Sequence, residues 1–334
     1  MTSVRSKLLR VAGPLLAVTL LILALRGMKW AEAAASLRSA HLWYLLAGLG
    51  PSIAALWFRA MRWRVLLGAE KTLPRATVLW ATGIGYFGNF VLPARAGEFL
   101  RSGAIHLKTG LPLAFVLATA LTERLIDAAV LVAIVGAGLA GRSHLPAWIR
   151  PALTGMAVAA AGGIAALFVL SRVQRSPEGL YHLLRLSPGT RSRVNVVLDD
   201  LKLGFRALQH PRPAFAFFGL TAIIWCCDAV GVLLAARAFE IVLPFSGALV
   251  YLGALGLSSA IPSVPGYLGV YQFVAATVLP LYGASKTVAV LFSLVSHAMG
   301  YAIVIAWGLT GMVRLRLETV ATGIVRQKAS SPRP

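Results

Sequence analysis

Three stretches of the sequence place groups capable of acid–base or anion chemistry in apolar surroundings. The first runs from Gly88 through Asn89 and Pro93 to Arg101. With a helix resuming after Pro93, Arg95, Glu98 and Arg101 stand three residues apart on one broad face. Pro93 and Gly97 leave backbone N–H groups near that helix start, where both the donors and the helix dipole favour an anion. Arginine adds a planar fork suited to phosphate. The second stretch is Thr122 to Asp127, where Glu123 and Asp127 share a helical face and Arg124 reaches Asp127. The third, Ser258 to Gln272, carries Ser259, Ser263, Tyr267 and Gln272 among Pro262, Pro265, Gly266 and Gly269. Its prolines and glycines break a helix and admit a close approach by backbone or ligand. Its neutral polar groups suit a head group or the broken backbone equally.

Two lone groups carry less. His297, near Ser293 and Ser296, is either a proton relay or an interhelical hydrogen-bonding residue, and Asp228 is an intramembrane carboxylate beside Trp225. The sequence holds no phosphate-loop lysine motif, no His-Glu-x-x-His pair and no Gly-x-Ser-x-Gly elbow. Cys226 and Cys227 are adjacent, a spacing suited to neither a disulfide framework nor zinc. No catalytic residue, metal ligand or cofactor is assigned.

The elements that must hold these groups are membrane helices. Hydrophobic residues make up 58% of the 334 and charged residues 13%, against roughly a quarter charged in soluble domains. Mean hydropathy is +0.78. The net charge of +21 falls in short segments between apolar runs, which fits the positive-inside rule rather than a nucleic-acid groove. Six runs are long enough to span: about 9–26, 41–61, 111–141, 151–171, 213–237 and 287–313. The first reads as a retained helix rather than a cleaved leader. Two further stretches, 76–92 continuing into 103–113 and 247–261 continuing to 281, read as broken or re-entrant helix pairs. Such interruptions are tolerated only where protein or a watery cavity supplies partners.

Six spans put four basic segments on one side, expected to be the cytoplasm with both termini inside. These are the N-terminus, a segment holding Arg59, Arg62, Arg64, Lys71 and Arg75, the loop 172–212, and the tail. The loop sets eight Lys and Arg residues against Glu178, Asp199 and Asp200, and is expected to form an amphipathic helix on the inner leaflet. The fold class is therefore all-α, a polytopic membrane helical bundle forming one integral domain over 1–334. Its halves are 41–141 and 213–313. Pro93 and Gly97 recur as Pro262 and Gly266 at a constant offset, Gly110 matches Gly283, and Glu123-Arg124 falls opposite Ser296-His297. Such matches suggest an inverted repeat.

Charges at membrane depth cost about 2.5 to 3.5 kcal/mol each, so six facing lipid would cost on the order of 15 to 20 kcal/mol. They must face inward. Arg95, Arg101 and Arg124 balance Glu98, Glu123 and Asp127, so a purely structural, self-neutralising ion-pair knot is the alternative to a ligand site.

Taken together, Arg62-Trp63-Arg64 with Leu66-Leu67, the stretch Asn89 to Arg101, Glu123 to Asp127, and Ile261 to Gly269 resemble the lysylphosphatidylglycerol synthase transmembrane, or flippase-like, family. The resemblance covers nearly the whole chain. It implies a membrane domain that, in two-domain synthases, moves aminoacylated phosphatidylglycerol between leaflets. The soluble aminoacyltransferase part of those synthases has no counterpart in this sequence, so that activity is not carried over. Gln272 stands where many relatives are expected to have Glu, which weakens any coupling through a carboxylate in the second half.

The expected function is therefore transport rather than catalysis: flipping a phosphate-bearing phospholipid, or an isoprenoid- or hopanoid-type lipid, across the cell membrane. Arg95, Arg101 and Arg124 would engage the head group, while Glu98, Glu123 and Asp127 position them or carry protons. The alternatives are a membrane-embedded lipid-modifying enzyme and a non-transporting partner of an envelope-lipid enzyme.

Overall fold

The computed structural model describes residues 15–92, 96–139, 149–172, 187–259 and 265–330, and among these no strand occurs. Arg95 and Pro262 lie outside them, as does loop segment 173–186. The helices are α1 (Leu15–Leu25), α2 (Trp30–Ser39), α3 (Leu42–Leu67), α4 (Arg75–Val91), α5 (Gly97–Thr109), α6 (Leu113–Leu139), α7 (Ile149–Arg172), α8 (Pro188–Arg206), α9 (Pro211–Ala238), α10 (Phe245–Ser258), α11 (Val270–Val278) and α12 (Lys286–Ser330). Among the described residues α3, α9 and Lys286–Arg316 of α12 are long and apolar enough to cross a bilayer. α6 has the length, but Glu123, Arg124 and Asp127 interrupt its apolar run. Trp43, Leu46, Ile53 and Phe218 stand exposed, as side chains do when lipid is the solvent.

One order of elements occurs twice. A long helix (α3, α9) precedes a broken pair (α4 and α5, α10 and α11) and then a second long helix (α6, α12). In both cases a left-handed glycine turns the chain into the last helix: Gly110 at φ 74° and Gly283 at φ 87°. Two larger clusters form the core. Trp63, Val78, Ile105 and Phe115 pack in the first, and Phe239, Val250, Tyr251, Leu279 and Phe292 in the second, which also takes Leu45, Leu131, Val135 and Leu139 from the first half.

Glycine contacts fix how the halves interlock. Along α3 and α9, Gly48 and Ser52 meet Gly231 while Arg62 reaches Thr221, so these two helices run antiparallel. α4 crosses to the other half, with Gly83 against Trp307, Phe87 against Gly308 and Trp80 against Gly311. α10 makes the reciprocal crossing, with Val250 on Gly138, Gly253 on Val135 and Gly256 on Leu131.

The broken pairs appear where the sequence indicates, with shifted edges. α5 begins at Gly97 and ends at Thr109, earlier than the expected 103–113. The larger difference is at α3, which runs on to Leu67 and so carries Arg59 and Arg62 inside the helix rather than in a basic loop. Their charges are met by carboxylates of other helices, which the local sequence does not reveal. α8 forms within loop 172–212, capped by Ser187, whose side chain accepts the Thr190 N–H. Its end packs on protein, with Gly204 against Ala118 and Thr119 of α6.

The α4–α5 hairpin needs contact closer than side chains allow. A methyl at Gly97 would strike the Gly85 carbonyl oxygen and the Asn89 amide nitrogen, whereas one at Gly103 meets nothing within 4 Å. Gly97→Ala is therefore expected to lower stability by about 1–3 kcal/mol, the usual cost of overpacking, and Gly103→Ala to leave it unchanged. Thermal unfolding of both variants in detergent checks this.

Candidate functional site

Placed mid-helix in α6, Glu123 is 1% exposed and anchors a network drawn from four helices. Its Oε1 accepts from Arg62 Nη2 at 2.8 Å and its Oε2 from Arg101 Nη2 at 2.8 Å. Asp127, one turn on, receives Arg62 through both terminal nitrogens, at 2.6 and 2.8 Å. This forked pairing is the geometry guanidinium offers and ammonium does not. Arg62 also donates to Thr221 Oγ1 of α9 at 3.2 Å.

Aromatic faces complete the sheath. Arg62 Cζ lies 5.1 Å from the Phe217 ring centroid and Arg101 Cζ 4.3 Å from that of Trp63. Trp63 is held in turn by its indole N–H donating to Thr119 Oγ1 at 3.0 Å. Glu98 Oε2 lies 2.6 Å from Arg101 Nε, a charge contact rather than a directed hydrogen bond.

Arg124 is held differently. It lies 3.4 Å from Glu123, 3.6 Å from Asp127 and 3.8 Å from Glu98, and its side chain is 30% exposed. Among the described residues it is the least committed of the three cluster arginines. Arg62, Arg101 and Arg124 balance Glu98, Glu123 and Asp127, so the described cluster is neutral. Arg62 thus fills the place that charge counting had given to Arg95, which lies outside the described residues. Neutralisation of the carboxylates does not require Arg95. Asn89, near the end of α4, sits against Gly97 at the start of α5, and its Oδ1 has no hydrogen-bond partner among the described residues.

The second-half residues gather apart from this cluster. Gln272 is fully buried, and its Oε1 accepts the Gly269 N–H at 2.8 Å, closing the start of α11. That fixes the amide, so Nε2 faces His297 Nδ1 at 3.2 Å. An amide nitrogen only donates, so Nδ1 accepts and the imidazole proton sits on Nε2. His297 lies between Tyr271 and Tyr301, with centroids at 4.7 and 4.1 Å, and Tyr267 stacks on Tyr271. Tyr301 O–H donates to the Gly266 carbonyl, and Ser259 Oγ donates to that of Gly256. Pro265 opens the short turn Pro265–Tyr267, in which Gly266 has φ 78°. Ser259, Gln272 and Tyr301 thus satisfy interrupted backbone. Phe90, near the first break, packs on Tyr301 at 4.2 Å, so both interruptions approach the same tyrosine.

Sequence reasoning passed over Arg59 and the pairing of Asp228. Arg59 Nη2 lies 2.5 Å from Asp228 Oδ2 and Nη1 3.3 Å from Oδ1. The available signal was the spacing of Arg59 and Arg62 on an unbroken helical run through Trp63, Leu66 and Leu67.

Apolar helices sheathing a buried, self-neutralising ion network define an integral membrane protein. Residues 10–308 match the family described as the lysylphosphatidylglycerol synthase TM region, and the chain belongs to that family. It is also similar to a protein named glycosyltransferase AglD from Haloferax volcanii, at 26% identity over 78% of this chain and 47% of that protein. The chain thus spans about half the length of that relative. No solved structure matches.

Removing one partner from a buried pair leaves an uncompensated charge, at a cost of about 3–5 kcal/mol. Glu123→Gln, which leaves Arg62 and Arg101 both short of a carboxylate charge, is expected to fall in that range. Arg124→Gln, in a partly exposed position, is expected to lose much less. Denaturant unfolding in micelles ranks the two.

Proposed function

We propose that this protein moves a phosphate-bearing membrane lipid between leaflets, with Arg124 as the head-group contact nearest the ion network. The observation that carries this is the loose hold on Arg124: three carboxylates at 3.4 to 3.8 Å and a side chain 30% exposed, beside buried Arg62 and Arg101 whose terminal nitrogens donate to carboxylates at 2.6 to 2.8 Å. A guanidinium with donors to spare accepts a phosphate without breaking the network. Arg95, two residues before α5, adds a positive charge that the neutral cluster does not need. Glu98, Glu123 and Asp127 orient the arginines.

An inverted repeat supplies the alternation. Antiparallel packing of α3 on α9, helices that occupy equivalent places in the two halves, supports a two-fold axis in the membrane plane. The reciprocal crossings of α4 onto α12 and α10 onto α6 support the same axis. On this reading the broken pairs enter from opposite faces and both termini lie in the cytoplasm. The full spans number six, and the protein works in the cell membrane.

A second reading is favoured by the relative named a glycosyltransferase, twice the length of the shared region. In it the membrane domain holds a lipid-borne substrate for a transfer reaction, and an envelope-lipid enzyme is its partner. Covalent change of lipid on incubation with pure protein would mark that reading.

Transport is tested by leaflet exchange of a fluorescent phospholipid in reconstituted vesicles. Arg124→Gln is expected to slow exchange about tenfold or more, the factor corresponding to one lost charge-assisted hydrogen bond, while the protein stays folded with a smaller loss of stability than Glu123→Gln. Exchange at the wild-type rate in folded Arg124→Gln protein contradicts the assignment.

A further inference from the structure

A cavity of about 390 Å³ opens between α3, α9, α10, α11 and α12, one helical turn of α3 from Arg62 but lined by no residue of the Glu123 network. Its size falls within the range of about 300–1,000 Å³ usual for small-molecule sites. It corresponds to about a dozen water-sized volumes. Its position follows from the repeated architecture. Glu123 lies ten residues after Leu113 in α6, and Ser296 ten residues after Lys286 in α12. Where the first half packs arginines and carboxylates, the second half presents serine, histidine and open space.

The chemistry of the walls selects the occupant. Among the described residues, Arg59 and Asp228 are the charged ones that line the cavity. Paired at 2.5 Å, with side chains 19% and 15% exposed, they sum to zero charge. A free phosphate or carboxylate would have to sit beside Asp228 or displace it. An uncharged polyhydroxyl group meets no such repulsion, because each hydroxyl both donates and accepts and so bridges guanidinium to carboxylate.

At the wall, Trp225 Nε1 and Ser296 Oγ have no hydrogen-bond partner among the described residues. A ligand oxygen would satisfy either, removing the cost of a buried unmet donor. Trp225, half-buried at the wall, offers an apolar ring to the C–H face of a sugar, and the edges of Tyr251, Tyr271 and Phe292 add apolar lining. The shared requirement is a neutral group, hydroxyl-rich on its edges and apolar on its faces.

We infer that this cavity binds the uncharged sugar of a lipid-linked glycan, with Arg59 and Asp228 bridged by its hydroxyls. The inference rests on the reading above that the ligand is a phosphate-bearing lipid, and it adds that the head group carries a sugar. The phosphate itself stays outside this cavity.

Gly300 provides the test. It lines the cavity, and a Cβ built there meets no atom within 4 Å, so a side chain can start from this position without a clash. The probes are a short-chain isoprenyl phosphate bearing one hexose and the same isoprenyl phosphate without it. Binding is measured by native mass spectrometry and thermophoresis on protein in phosphatidylcholine nanodiscs. Wild type is expected to prefer the hexosyl lipid by about tenfold, the loss corresponding to one or two polar contacts. Gly300→Leu and Asp228→Asn are each expected to erase the preference, with Gly300→Leu keeping the wild-type melting temperature.

Equal binding of both probes by wild type overturns the inference, as does an undiminished preference in Gly300→Leu. The measurement needs no transport. Protein that exchanges no lipid yet keeps the sugar preference overturns the transport reading and sustains this site.

Discussion

A carboxylate at the middle of an apolar helix must be neutralised by the protein itself, and Glu123 imposes that condition on everything around it. The hydrocarbon cannot hydrate it, so Arg62 of α3 and Arg101 of α5 must both reach it. For Arg101 to arrive, α5 must lie against α4 with no side chain between, which Gly85 and Gly97 permit. For Arg62 to arrive, α3 must continue as helix to Leu67 and lie beside α9, where Thr221 and Phe217 complete its surroundings. One buried charge thereby fixes the mutual placement of four helices from distant parts of the chain.

The same architecture carries opposite chemistry in its second half. There Gln272 and His297 hold one another by a neutral hydrogen bond, and tyrosines rather than arginines line the break. Gln272 uses its oxygen on the backbone of its own helix. A glutamate there could accept the same N–H but could not donate to His297 while ionised. The departure from the expected acidic residue thus goes with a neutral second half. Ion pairs close the surroundings of Glu123, while a cavity with the Arg59–Asp228 pair in its wall lies between α3 and the helices of the second half.

Much of this was legible because membrane folding writes strong local signals. Prolines at 93 and 262 mark the broken pairs, and the glycines at 110 and 283 mark the turns into α6 and α12. The clustering of Glu98, Arg101, Glu123, Arg124 and Asp127 followed from the rule that none could face lipid. Arg59 and Arg62 did not follow, because a basic residue at the end of an apolar run ordinarily marks the cytoplasmic edge. Only partners 61 to 169 residues away in sequence show that these two lie inside. Asp228 was visible as an intramembrane carboxylate, but its partner was not. For Ser259 and Gln272 the choice between ligand and backbone needed geometry, since each residue type serves both.

The claim that charge neutralisation organises the fold is tested most directly by a double-mutant cycle on Arg62 and Glu123, using Arg62→Met and Glu123→Leu with unfolding free energy in micelles as the readout. Each single change strands a buried charge, whereas the double change removes one charge of each sign and leaves Arg101, Arg124, Glu98 and Asp127 in balance. The expected result is strong coupling, with the double variant recovering about 2 kcal/mol or more of the summed single losses. Additive losses would contradict the account.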